Sequence, residues 1–317
     1  MTHQHVAPTE GHSAHAHQSH ASGRRPGIYL FSPAGAITEP ERLVRARANL
    51  KELGYNTTVD RTALARMERF AGSDEQRIAA FGRALRQTKP IVMATRGGYG
   101  MSRILHRLEY EAIAQSGKIF VGHSDFTAFS LALYARTGAI SYAGPMALYD
   151  FGGKRVNSLT SEVFGEVLRG ELEVLSFESP DADPVDCRGV LWGGNLALVA
   201  ALVGTPYLPR VRGILFLEDI NEQPYRIERM LLQLLHAGVL ARQKALILGR
   251  FTGASVTPHD NGFGLDSIVA WIRREAGIPV ITGLPFGHVP AKVTLPIGAR
   301  VGLATEDGMA YLLLHDH

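Results

Sequence analysis

A serine follows the short apolar run Ile119-Phe120-Val121, within Gly122-His123-Ser124-Asp125-Phe126. The run reads as a buried strand, and the residues from Phe126 to about Arg136 read as a helix. A serine at such a junction points its hydroxyl out above the carboxyl edge of the sheet. The N–H groups that open the helix face the same space. This suits a nucleophile, because those N–H groups can hold the oxyanion formed on attack, and a helix N-terminus favours negative charge. The motif departs from G-x-S-x-G at its last position, where Phe126 replaces glycine. A serine here can equally serve as a helix cap.

The neighbouring run, Ile91 to Ala94, ends in Arg96-Gly97-Gly98-Tyr99-Gly100. Glycines let a backbone come close to a ligand. A peptide N–H from this loop, with that of Asp125, could complete an oxyanion hole, and Arg96 could pair bidentately with a substrate carboxylate. The G-G-x-G spacing differs from G-x-G-x-x-G, and no Lys-Ser/Thr follows, so nucleotide phosphates are poorly served. A plain tight turn is the other reading.

Glu218 closes the apolar run Ile214 to Leu217. A carboxylate at a strand's exit faces a partner, because burying it unpaired is expensive. That partner could be the Nδ1–H of a histidine, or Glu218 and Asp219 could cap the coming turn. His288 stands in the turn-rich Pro285-Phe286-Gly287-His288-Val289-Pro290 and could present an imidazole, or sit on the surface. Together Ser124, Glu218 and His288 supply a nucleophile, an orienter and a base. Serine needs such help because its hydroxyl is almost never ionised at neutral pH. His123 is expected to point away from Ser124, and His106 and His236 fall on expected helices. No His-x-x-x-His or His-Glu pattern suggests a catalytic metal. Cys187, the single cysteine, excludes an internal disulfide and a multi-cysteine metal site.

The elements that must position these groups alternate between strand and helix. Ile28 to Phe31 is a strand. Thr38-x-x-Glu41, with Pro40 between, predicts a capping box and a helix carrying Leu43, Ala46 and Leu50 on one face. Tyr55 to Val59 is strand-like, and Ser73-x-x-Gln76 opens a second helix. Strand, tight turn and helix in repetition predict a Rossmann-like parallel sheet over 26–151, the nucleophile domain. Residues 152–186 loosen in pattern, with Asn157 to Arg169 helical and the proline-rich 179–184 polar, and are expected to form a linker. A smaller mixed α/β domain over 187–317 would carry Glu218 and His288.

Composition bounds the rest. The 317 residues suggest two domains of ~150 residues, and the 45% hydrophobic content excludes wholesale disorder. A net charge of +3 with interspersed signs gives no footprint for nucleic acid. No segment approaches the ~20 apolar residues of a membrane span. The first 25 residues hold His3, His5, His12, His15, His17 and His20 without an apolar stretch, which reads as a disordered tail rather than a secretory signal. The default location is the cytoplasm.

Several segments together resemble the LD-carboxypeptidases, serine peptidases acting on peptidoglycan fragments. They are Arg96 to Gly100, Gly122 to Thr127, Leu191-Trp192-Gly193-Gly194-Asn195-Leu196, Leu217-Glu218-Asp219 with Pro224 to Ile227, and Gly287-His288 with Leu295 to Gly298. The resemblance spans residue 26 to the end; the His-rich extension has no counterpart in it. It implies a Ser124–His288–Glu218 triad across an interdomain cleft, no cofactor or metal, and a homodimer. The implied substrate is murein tetrapeptide, free or linked to disaccharide or UDP, cut at the L–D amide bond to release D-alanine. In that reaction the N–H groups of Gly98 and Asp125 would hold the oxyanion. Arg96 would take the carboxylate of the leaving D-alanine, and Trp192 and Asn195 would wall the cleft. Two alternatives stand beside it. One is a peptidase akin to the microcin C self-immunity proteins, acting on peptidyl- or aminoacyl-nucleotides. The other is a muropeptide-binding protein without catalysis.

Overall fold

The computed structural model describes residues 26–314. The His-rich tail expected over 1–25 lies outside them.

The first half of the chain alternates as expected. Its elements are β1 (Ile28–Phe31), α1 (Pro40–Glu52), β2 (Thr57–Val59), α2 (Asp74–Leu85), β3 (Ile91–Ala94), α3 (Met101–Ile104), α4 (Tyr110–Gln115), β4 (Ile119–Gly122), α5 (Phe126–Thr137) and β5 (Ser141–Ala143). The capping box at Ser73 and Gln76 forms. The one expected at Thr38 does not: α1 starts a residue later, with Glu39 at the cap and no side-chain bond to it, and Pro40 sets the first turn.

The second half comprises α6 (Ser158–Arg169), β6 (Val174–Glu178), β7 (Asp186–Asn195), α7 (Leu196–Ala201), β8 (Gly213–Ile220), α8 (Pro224–His236), β9 (Ala245–Thr252), α9 (Leu265–Glu275), β10 (Val280–Ile281), β11 (Leu295–Ile297), β12 (Arg300–Glu306) and β13 (Met309–Leu313). Residues 152–186, expected as a linker, thus hold a capped helix and a strand.

Two sheets result. The first runs β11-β5-β4-β3-β1-β2 and is parallel except for β11. The strand order reverses direction between β1 and β3, and ligands of such sheets bind beyond the carboxyl ends at that point. The second runs β10-β9-β8-β7-β12-β13-β6, parallel from β10 to β7 and antiparallel beyond. The sheets exchange chain: β11, late in the sequence, joins the first, while β6, in the expected linker, closes the second.

Helix α5 ties the halves together. Phe126 to Leu133 are all buried, and the helix packs on β5 and β11 as well as on β7 and α7. Its first turn is anchored by an aromatic cluster, with Phe126 against Phe31 (6.2 Å between centroids) and Phe129 (4.9 Å). Burying rings of this size holds the helix start firmly. No helix among the described residues is long and apolar enough to cross a membrane.

Candidate active site

The turn between β4 and α5 holds Ser124 at φ +62°, a left-handed conformation that serine seldom adopts. Strain of this kind points a side chain where an ordinary turn would not. Among the described residues the Ser124 hydroxyl makes no hydrogen bond. It faces a cavity of about 560 Å³ that is lined also by Arg96, Gly97, Gly98 and His288. The glycine loop lies directly against the serine. A Cβ on Gly97 would come within 2.7 Å of both Cβ and Oγ of Ser124, and 3.3 Å from the Asp125 nitrogen. At the helix start the Asp125 N–H has no partner in the helical ladder.

From the second sheet comes a paired acid and base. His288 Nδ1 lies 2.8 Å from Glu218 Oε2, and the Glu218 side chain is fully buried. Glu218 is the sixth residue of β8, where the strand leaves the core. Asn195 at the end of β7 donates through Nδ2 to Glu218 Oε1 (3.3 Å) and Asp219 Oδ1 (2.9 Å). Both carboxyls at the strand exit are thus held. Burial pushes the Asp219 carboxyl up to about 6, against the hydrogen bonds from Ile220 and Asn195. Gly287, at φ +140°, has a steric role: a Cβ there would stand 2.8 Å from Arg250 O and 3.2 Å from Glu218 Oε2.

The Gly193-Gly194-Asn195 stretch brings the two sheets close. A Cβ on Gly194 would meet Thr127 Oγ1 of α5 at 2.6 Å, and Asn195 N donates to that hydroxyl at 3.1 Å. The helix that begins beside Ser124 therefore touches the strand end that supports Glu218.

Arg96, Ser124, Gly98 and His288 line one cavity, with Glu218 directly behind His288. Arg96 donates through Nη1 to Ala36 O at 3.0 Å, and its guanidinium lies 5.8 Å from the Tyr149 ring centre. Trp192 and Asn195 are not on the wall. Trp192 is fully buried and donates to Gln243 Oε1 at 2.9 Å, because β7 is flanked by β8 and β12 and offers its aromatic to the core. Asn195 caps α7 and braces Glu218 from behind.

His123 also departs from expectation. It lines the cavity, with Nδ1 2.8 Å from Gly144 O and its ring 5.2 Å from that of His288. Burial holds its pKa well below the usual value, and Lys292 and His288 push the same way. Beside it are two residues that sequence reasoning missed. Lys292 Nζ stands 2.5 Å from Asp150 Oδ1 and 3.5 Å from His123 Nε2. Burial raises the Asp150 carboxyl, opposed by the Lys292 ammonium. A lysine between Pro290 and the apolar Val293 and Leu295 is the only local hint. Its partner is 142 residues away. Among the described residues no group of three or more His, Cys, Asp or Glu could hold a metal ion.

Comparison with known proteins matches this arrangement along its length. Residues 28–144 fit the family model of the LD-carboxypeptidase N-terminal domain, and residues 188–303 that of the C-terminal domain. A probable murein peptide carboxypeptidase of Bacillus subtilis is 31% identical over 90% of this chain and 91% of its own. The crystal structure of a muramoyltetrapeptide carboxypeptidase from Oxalobacter formigenes superposes with a TM-score of 0.87 at 43% identity, covering 92% of this chain and 99% of that one. The microcin C7 self-immunity protein of Escherichia coli is more distant, 24% identical over 89% of this chain and 91% of its own. These matches put the chain among the carboxypeptidases. Within that class, it belongs to the LD-carboxypeptidase family.

Proposed function

We propose that the protein is a serine LD-carboxypeptidase that releases the terminal D-alanine of murein tetrapeptide, with Ser124, His288 and Glu218 as its catalytic triad. The observation that carries the reading is the Glu218-bonded imidazole of His288 in the same cavity as the strained Ser124. His288, donating Nδ1–H to Glu218, keeps a lone pair on Nε2. That nitrogen takes the proton as Ser124 Oγ attacks the amide carbonyl, and Glu218 stabilises the imidazolium so formed. The N–H groups of Gly98 and Asp125 receive the oxyanion, each donor contributing about 3 kcal/mol. His288 then returns the proton to the departing amine, D-alanine leaves, and a water activated by His288 hydrolyses the acyl-enzyme. Arg96 is the cation for the leaving carboxylate. The family resemblance supports reading this step as part of cytoplasmic cell-wall recycling, carried out by a homodimer.

The murein-directed names of the B. subtilis and O. formigenes relatives support this substrate class. The test is incubation with disaccharide- or UDP-linked tetrapeptide and with its all-L isomer. Free D-alanine from the D-terminated substrate, no release from the isomer, and loss of activity in Ser124→Ala support the reading. Release from neither, with an aminoacyl-nucleotide cleaved instead, would move the protein to the microcin-type substrate. Failure of a fluorophosphonate to label Ser124 would leave it a binder.

A further inference from the structure

The ion pair of Lys292 and Asp150 has no part in the chemistry above. Both side chains are only 3% exposed. Apolar residues of similar volume often stabilise a core as well as a buried ion pair does, so the best-attested use of such a pair is to fix one geometry among several. The chain path shows which geometry is at stake. Residues 282–294 lead from β10 in the second sheet to β11 in the first, and His288 lies on this crossing. Two hydrogen bonds tie it to β9 and β8 of the second sheet: Arg250 N donates to Phe286 O at 2.8 Å, and His288 Nδ1 bonds Glu218.

Further contacts hold it to elements outside that sheet. Lys292 Nζ bonds Asp150, in the turn after β5, and stands 3.5 Å from the imidazole of His123, the residue before Ser124. Thr160 of α6 clasps the same segment, accepting from Lys292 N (3.0 Å) and donating to Pro290 O (2.9 Å). Asp150 is itself fixed, since its Oδ2 accepts from Met146 N at 2.7 Å. Glu218 orients the imidazole from the second sheet, which meets α5 through Asn195 and Thr127, one turn beyond Ser124. The Lys292 contacts add a direct tie from the crossing segment that carries His288 to the residue before Ser124.

We propose that Lys292 and Asp150 are positioning residues, whose ion pair fixes the crossing segment so that His288 stands against Ser124. This rests on reading Ser124 and His288 as nucleophile and base. Lys292→Met alone would strand a buried carboxyl, so the main variant is the double substitution Lys292→Met/Asp150→Asn. It removes both charges and leaves an amide oxygen to accept from Met146 N.

With tetrapeptide as substrate, kcat falls about 10²-fold, the effect of a misplacement near 1 Å, while KM stays within about threefold. Fluorophosphonate labelling of Ser124 slows in parallel. The downfield proton resonance of His288 Nδ1–H persists, because its bond to Glu218 is untouched. Lys292→Arg, which keeps the charge, retains most of kcat. A folded double variant with kcat within about threefold of the parent overturns the proposal, as does a change confined to KM. A double variant that fails to fold assigns the pair to stability instead and overturns it equally. Ser124→Ala separates the two levels: if it keeps activity, the nucleophile assignment fails. An inert Ser124→Ala beside an unimpaired double variant defeats only the positioning role.

Discussion

Substitution of Glu218 by glutamine removes one charge and almost no volume. In the proposed mechanism the imidazole of His288 gains its charge only at the transition state, so the lost term is the attraction between imidazolium and carboxylate. The contact atoms are 2.8 Å apart, and the charge centres about 4 Å. With an effective dielectric near 20, that attraction is about 4 kcal/mol, or about 10³ in rate. The amide adds a second fault. If its NH₂ faces Asn195 Nδ2, which now donates to Glu218 Oε1, two donors meet. If the NH₂ faces His288, Nδ1 must accept, the ring proton moves to Nε2, and the base is lost. The assay is kcat for D-alanine release in Glu218→Gln, with circular dichroism to confirm the fold. A folded variant within tenfold of the parent rate would refute the role given to this carboxylate.

Three further outcomes follow from the same geometry. Gly97→Ala would drive a methyl to 2.7 Å from Ser124 Oγ; kcat is expected to fall by about 10²-fold or more with labelling of Ser124 suppressed, and normal activity would show that the loop yields freely. Ser124→Gly abolishes activity yet raises the urea midpoint, because glycine relieves a left-handed φ that costs a serine about 1 kcal/mol; a lower midpoint would contradict the strain. Asp125, its carboxyl pushed up by burial from 3.8 to about 6, binds a proton more tightly folded than unfolded. Its contribution is complete below pH 3.8 and is lost as pH rises through about 6, an effect of about 3 kcal/mol. Asp125→Asn should therefore gain stability relative to the parent at pH 7.5 compared with pH 4, and an equal difference at both would exclude this titration.

Much of the first sheet was legible in the sequence because parallel strands buried on both faces are written as unbroken apolar runs, as in Ile91 to Ala94 and Ile119 to Val121. Ser124, Glu218 and His288 could be singled out because each is a polar residue at the end of such a run or in a turn. Trp192 and Asn195 were misplaced for a complementary reason. Periodicity identifies β7 but not its neighbours, and only the flanking strands β8 and β12 decide that Trp192 faces the core. β6 did carry a signal: Leu175 and Phe177 are buried while Val174, Ser176 and Glu178 are exposed, an alternation hidden beside the proline-rich stretch. The Lys292–Asp150 pair had none of that strength, since charge complementarity across 142 residues leaves no spacing to read.

The return of β11 to the first sheet means that this protein cannot be divided into two self-sufficient products. Leu295, Pro296 and Ile297 cover the outer side of Ser141, Tyr142 and Ala143. A fragment stopping before residue 187 would bare that margin of peptide groups, a template for chain-to-chain association. Splitting the gene between its two recognisable segments should therefore yield a soluble partner only when both pieces are made together, each completing the other's weave.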